Sequence, residues 1–346
     1  MRILEQLEVA GKRVVVRVDW NVTLGRALQI IDDTRIGKTI PTLKWLMEHG
    51  ATQVILLAHL GKPGGKAVAE LSLAPVAKYA EALLGEEIKF WNSVAECQSD
   101  TVSRVKILEN LRFWPGEEAN DPEFAKQLAN LGNVYVDEAF GEAHRQAASI
   151  VGIPKLLLSA AGLWFATEVE KITKAVASPE RPFVVVMGGA KVDDKIKLLE
   201  ALSQKADVIL LGGKLANEFV SRGMKLAGTA RVITPVEGSN LLDIGEETQR
   251  LFTAEIMQAG TVVWNGPMGK VEDMAYQAGT DAMFAAVAET SAYTLVGGGD
   301  TLAALHDEGH FERIDHISTG GGAMLALIEK GTLPGIEALE QGTHRV

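Results

Sequence analysis

The sequence predicts an α/β protein of two doubly wound, parallel-sheet (Rossmann-like) domains joined by a hinge helix. Three features point there. Short apolar runs recur without alternation, as in strands buried on both faces. Helical stretches separate them, which makes βαβ units. And the strand ends differ between the halves: charged side chains in the first, glycine clusters in the second.

In chain order, Val14 to Val18 ends in Asp19-Trp20-Asn21, and Gln53 to Ala58 ends in His59-Leu60-Gly61. Val105 to Leu108 ends in Glu109-Asn110-Leu111-Arg112, and Val134 to Val136 ends in Asp137-Glu138. Leu157 to Ala177 then reads as one long helix, starting near Ser159 and stopping before Pro179. In the second half Phe183 to Met187 precedes Gly188-Gly189, and Val208 to Leu211 precedes Gly212-Gly213. Thr261 to Trp264 precedes Asn265-Gly266-Pro267, Tyr293 to Val296 precedes Gly297-Gly298-Gly299, and His316 to Ser318 precedes Gly320-Gly321-Gly322. The expected division is a first domain over 1–158, a connecting helix over 159–178, a second domain over 179–325 and a tail over 326–346 that packs back on a lobe.

Composition bounds the function. The 346 residues have room for two cores, and 47% hydrophobic against 23% charged residues describes a globular chain. A net charge of −11 argues against a nucleic-acid surface, so any anionic ligand needs a local cluster of cations. Cys97, the single cysteine, rules out a disulfide framework and reads as an inert thiol with no basic neighbour in sequence. The N-terminus lacks a signal-type apolar region, and no apolar run approaches the ~20 residues of a membrane helix. A cytoplasmic protein, not bound to membranes, is expected.

Ligands of open α/β sheets bind beyond the carboxyl ends of the strands. In the first half Arg35, His59, Lys62, Arg112, His144 and Arg145 fall there. Asp32-Asp33-Thr34-Arg35 looks like a capped helix start. Guanidinium forks suit phosphate and carboxylate. Asp19 and Asn21 share one face of a strand end and suit substrate hydroxyls. Singly, such cations are ordinary paired surface charges; at successive strand ends they suggest an anion site. In the second half Gly188-Gly189-Ala190-Lys191-Val192-Asp193-Asp194-Lys195 follows a strand and opens a helix. Such a segment lets backbone N–H groups approach phosphate, with Lys191 and Lys195 on one helix face; it also reads as a plain turn with a solvated face. It is neither a Walker A loop nor a dinucleotide fingerprint, which counts against a nicotinamide dehydrogenase. Asp300, after three glycines, suits a nucleotide-bound Mg²⁺. His306 and His310, four apart but without a third ligand, are expected at the surface.

Nine ordered segments, RVVVRVDWNV, DDTRI, HLGKP, ENLRF, EAFGEAHR, GGAKVDDKI, WNGPMG, GGGDT and STGGGA, make the chain similar to phosphoglycerate kinases over nearly its whole length. The resemblance implies reversible phosphoryl transfer between 1,3-bisphosphoglycerate and ADP, with Mg²⁺ and ATP or ADP, in a monomer. It implies Asp19, Asn21, Arg35, His59, Lys62, Arg112 and Arg145 on 3-phosphoglycerate. It also implies Lys191 and Lys195 on the transferring and nucleotide phosphates, Glu272 on the ribose, and Gly298, Gly299, Asp300 and Thr301 at the phosphates and metal, with Asp300 the ligand of Mg²⁺. Arg35, Lys191 and Lys195 are then the catalytic cations, and the two lobes close to bring the reactants together.

Four departures from the family pattern stand out. Lys62 replaces an arginine, Ala147 a histidine, and Lys214 a glycine near the base, while Ser221 to Leu242 is much shorter than in typical members. They keep open a second reading, a family relative that binds an anionic metabolite or nucleotide with little turnover.

Overall fold

Runs of branched residues with no polar alternation become strands covered on both faces, because each must be shielded by helices on either side. Val14, Val15 and Val16 are fully buried, as are Val184, Val185 and Val186. The structure, a computed structural model, describes residues 1–25, 27–190, 192–238, 241–305 and 308–342, apart from the side chains at 192–194 and 308. The chain divides into one unit of Met1–Val169 with the stretch from Thr332 onward, and a second of Glu170–Gly331.

The first unit holds a parallel sheet of β1 (Arg13–Val18), β2 (Gln53–Leu57), β3 (Ile88–Trp91), β4 (Val105–Leu108), β5 (Val134–Glu138) and β6 (Leu158–Ala161), in the order β3-β4-β2-β1-β5-β6. Strand order reverses between β1 and β5, where Arg17 pairs in register with Asp137 and Val18 with Glu138. The charged ends of these two strands therefore lie level at the switch point, the place where such sheets bind ligands.

The connecting helix is a correction to the sequence reading. It spans Leu163–Ala177 and does not start near Ser159, which lies inside β6. The Glu138 carboxylate accepts the N–H groups of Trp164 and Phe165 and the Thr42 hydroxyl, so the first turn is anchored at residue 163. Leu-Ser-Ala-Ala has little strand propensity of its own; pairing with β5 and a bridge from Ile3 to Ala161 make it a strand. The unit boundary falls within this helix. The start of the tail also moves: residues 326–330 belong to the helix Gly321–Lys330. The terminal helix Pro334–Gly342 packs on the first unit, where Gly335 N–H reaches Ala143 O at 2.9 Å and Ala338 joins Ala139, Ile150 and Val151.

The second unit has β7 (Phe183–Met187), β8 (Val208–Leu211), β9 (Arg231–Ile233), β10 (Thr261–Asn265), β11 (Tyr293–Gly297) and β12 (His316–Ser318), all parallel, in the order β12-β11-β10-β7-β8-β9. Its switch point lies between β7 and β10, beneath the glycine loops that follow Met187 and Asn265. Both sheets are the doubly wound α/β type the sequence predicts. β3 and β9 go unread in the sequence because both are short edge strands, Ile88-Lys89-Phe90-Trp91 mixing an exposed lysine with apolar residues.

Candidate active site

In the first unit, the cluster is assembled on the loops after β1, β2, β4 and β5. Arg17 sits inside an apolar strand at 1% exposure. Its Nε donates to Ser149 Oγ at 2.9 Å, and its Nη2 lies 3.0 Å from His59 Nδ1. A guanidinium only donates, so Nδ1 accepts and the His59 proton sits on Nε2. That Nε2–H is buried without a hydrogen-bond partner, 3.6 Å from Glu142 Oε1. Burial first, then Arg17, Arg112, Arg145 and Arg35, holds His59 well below the usual imidazole range, so the ring is neutral.

Arg112, with 5% of its side chain exposed, donates from Nη1 to Gly61 O at 2.9 Å and from Nη2 to Glu142 Oε2 at 2.7 Å. Gly61 N–H in turn donates to Asn21 Oδ1 at 2.9 Å, tying the β1, β2 and β4 loops together. Arg145, partly exposed, places Nε 3.1 Å from Glu142 Oε2 without forming a hydrogen bond. Arg35 grips Asp19 through Nη1, 3.0 Å from both carboxylate oxygens. Asp19 and Asn21 thus spend part of their capacity on loop structure. His144 is half-buried with Nδ1 unpartnered, and burial lowers its pKa. Lys62 stands exposed on the loop beside Gly61. Arg17, Asp137 and Glu142 are the members the sequence reading missed; a cation inside the run Arg13–Val18 was the available signal for the first.

The second unit gathers glycine loops around its switch point. Gly188 N–H donates to Asn265 O at 3.0 Å, Gly189 N–H to Pro267 O at 2.9 Å and Gly213 N–H to Met268 O at 2.8 Å. Of the two readings the segment left open, the Gly188 and Gly189 amides follow the plain turn: they hold loop to loop. The glycines are there for close approach. At Gly266 φ is +96°, and a Cβ would lie 2.3 Å from Gly188 O. Lys195, 8% exposed, donates from Nζ to Gly188 O at 2.7 Å. Thr301 is fully buried; its hydroxyl accepts Gly266 N–H at 2.7 Å and donates to Gly297 O at 3.2 Å, so it braces the loops from beneath. Lys191 lies outside the described residues.

Above these loops opens a cavity of about 560 Å³ lined by Gly189, Gly213, Lys214, Asn217, Glu272 and Asp300, among others. Glu272 and Asp300 are exposed there, Gly299 is exposed beside Asp300, and Gly298 adopts φ +109° at the turn. Leu241 and Leu242 also line the cavity. Asn217 holds that side wall with two bonds, Nδ2 to Leu241 O at 2.8 Å and Leu241 N–H to Oδ1 at 3.2 Å. Lys214 Nζ pairs with Glu218 at 3.6 Å. Among the described residues no group of three or more His, Cys, Asp or Glu could hold a metal. One exposed carboxylate does fit Mg²⁺ carried mainly by nucleotide phosphates and water.

The phosphoglycerate kinase family model matches residues 4–232 and 223–331. Curated phosphoglycerate kinases from Moorella thermoacetica and Thermomicrobium roseum are 41% and 42% identical, covering 98% of this chain in each case and 98% and 99% of the relatives. The chain belongs to the phosphoglycerate kinase family. The structure of the phosphoglycerate kinase from Coxiella burnetii superposes with a TM-score of 0.86 at 34% identity, covering 98% of both chains. That from Pyrococcus horikoshii also gives 0.86, at 28% identity over the full length of both. The two family matches meet at residues 223–232, within the shortened Ser221 to Leu242 stretch. The Asn217–Leu241 bracket stands in the cavity wall at the end of that stretch.

Outside the site, Cys97 is buried and desolvation lifts its thiol to about 11, although Lys106 lies close enough to pull it the other way. The neighbour that sequence alone hides does not activate it. His310 is half-buried against Phe284, ring centroids 5.3 Å apart, and is therefore not a plain surface residue; His306 lies outside the described residues. No described helix is long and apolar enough to cross a membrane.

Proposed function

We propose that this chain catalyses reversible phosphoryl transfer between 1,3-bisphosphoglycerate and ADP, giving 3-phosphoglycerate and ATP. The observation that carries the reading is the buried Nε2–H of His59, a donor without an acceptor, in one cluster with the cations Arg112 and Arg145 that favour an anion there. Asp19, Asn21, Arg35, His59, Lys62, Arg112 and Arg145 hold the acid, and the first unit is its binding domain. Lys191, Lys195, Glu272, Gly298, Gly299 and Asp300 serve the nucleotide in the second. Thr301 acts by positioning, since its hydroxyl is already engaged with Gly266 and Gly297.

No covalent intermediate is needed, because the carboxylate of 3-phosphoglycerate is itself a nucleophile. Arg35 and Lys191 offset charge on the transferring group, and Lys195, tethered to Gly188, keeps the loop beneath it in place. Mg²⁺, held by Asp300 with the nucleotide phosphates, would supply further charge neutralisation. Acid and nucleotide must meet with water excluded, so closure about the connecting helix belongs to this reading. The protein acts as a cytoplasmic monomer on small molecules, with no nucleic-acid or membrane partner.

A coupled assay with purified protein, ATP, Mg²⁺ and 3-phosphoglycerate tests it. Turnover supports the kinase. Calorimetric binding of both ligands without turnover would instead establish the family relative that binds and does not transfer.

A further inference from the structure

Three of the groups assigned to the acid, two guanidiniums and a neutral imidazole, converge on a carboxylate of the protein itself. Glu142 Oε2 takes Arg112 Nη2 at 2.7 Å and stands 3.1 Å from Arg145 Nε, while Oε1 stands 3.6 Å from His59 Nε2. Glu142 is buried, with 9% of its side chain exposed, and desolvation raises its pKa despite Arg17, Arg112 and Arg145. It therefore sits where an incoming anion would sit.

It offsets charge at that place without satisfying its donors. His59 Nε2 and Arg145 Nε both remain without a hydrogen bond. A carboxylate has two oxygens in one plane, and Oε2 is already committed to Arg112. A phosphate offers three oxygens around one centre and more charge, so it can answer Arg112, Arg145 and His59 together. Buried donors left unpaired are unfavourable, and the exchange of anions removes that penalty.

We propose that Glu142 is an internal counter-anion that the phosphate of the acid substrate displaces from Arg112, Arg145 and His59. It is an affinity- and selectivity-determining residue: it offsets part of the positive charge of Arg112 and Arg145 when no substrate is bound and excludes monoanions too weakly charged to displace it. The inference rests on the assignment of this cluster to 3-phosphoglycerate. A different role, a plain clamp that orients Arg112, predicts the opposite response to its removal.

The test is Glu142→Gln, which keeps the shape and removes the charge, measured by calorimetry with 3-phosphoglycerate and with inorganic sulfate as the probe anion. Affinity for 3-phosphoglycerate should rise severalfold, toward the tenfold that about 1.4 kcal/mol represents. Sulfate should gain more than 3-phosphoglycerate does, and the KM for ATP should stay at the wild-type value. Unchanged or weaker acid binding by a folded variant that still turns over overturns the inference and leaves the kinase reading standing. If the wild-type protein neither binds nor turns over 3-phosphoglycerate, both fall. Should the variant not fold, a crystal structure of the wild-type protein with 3-phosphoglycerate decides. Glu142 more than 4 Å from Arg112 supports displacement, and Glu142 still bonded to Arg112 refutes it.

Discussion

Arg17 Nη2 lies 3.0 Å from His59 Nδ1, and this contact sets which proton the site presents. Because the guanidinium can only donate, it fixes the tautomer that aims Nε2–H into the acid cluster. His59→Ala removes both the acceptor for a fully buried arginine and the donor to the ligand. We expect it to lower stability by about 1–3 kcal/mol and to raise the KM for 3-phosphoglycerate, with His59→Gln recovering part of each. Urea unfolding and steady-state kinetics measure the two effects; an Ala variant as stable as wild type would refute the link to Arg17.

Arg112 uses two separate nitrogens, one on Gly61 O and one on Glu142. A lysine has a single ammonium and cannot span both. Arg112→Lys should weaken 3-phosphoglycerate binding by about ten- to a hundredfold, the loss of one charge-assisted bond of roughly 1.5–3 kcal/mol. Nucleotide affinity, read in the same calorimeter, should not change. Equal losses for both ligands would remove Arg112 from the acid site.

Burial raises Asp137 and Glu138 to about 7, and Asp137 Oδ2 has no hydrogen-bond partner. Groups raised on folding bind protons more tightly in the native state. Their contribution is fully present below the unfolded carboxyl range near 4 and is lost as pH climbs through about 7. His59 runs the other way: its folded pKa is depressed, so its contribution is present above about 6.5 and is lost as pH falls. Comparing wild type with Asp137→Asn isolates one of the acids. The stability difference, wild type minus variant, should shrink or reverse between pH 5 and 8 by on the order of a few kcal/mol, followed by thermal melts. Parallel curves for the two proteins would show that Asp137 is ionised throughout.

The parts of the structure that were legible in sequence share a physical cause. Val14 to Val18 and Phe183 to Met187 are central strands buried on both faces, and such strands need a continuous apolar run. Edge strands carry no such demand, which is why Ile88–Trp91, Leu158–Ala161 and Arg231–Ile233 went unread. At the site, His59 and Arg112 were visible because they end strands. Glu142 carries no signal of its own in the sequence, and only the fold brings it against Arg112. The Gly188 and Gly189 segment leaves phosphate approach and plain turn both open in sequence, because sequence reveals a glycine's freedom but not which carbonyl its N–H meets.

Asn217 joins one side of the second unit's cavity to the Leu241 backbone through two bonds. Asn217→Ala loses both and leaves Leu241 unpaired beside the cavity. The KM for ATP should rise severalfold with the acid KM unchanged, since each lost bond is worth about 1 kcal/mol. The same variant, run with GTP and ITP against ATP, reports whether the wall also governs base preference alongside Lys214. Unaltered nucleotide kinetics would mean that the Leu241 segment does not form the wall in the working enzyme.

Asp300 differs from its neighbour Thr301 in charge and in exposure: the carboxylate lines the cavity while the hydroxyl is buried. Asp300→Asn should therefore leave stability within about 0.5 kcal/mol, as exposed substitutions do, while shifting the Mg²⁺ dependence of turnover to higher concentration. Asparagine keeps an oxygen donor but loses the charge that a hard divalent cation prefers. Thr301→Val should do the reverse, lowering the melting temperature by freeing Gly266 N–H and weakening ATP binding at every Mg²⁺ concentration. A Mg²⁺ titration of both variants separates ligand from brace, and identical metal curves for Asp300→Asn and wild type would take Asp300 out of the metal's coordination.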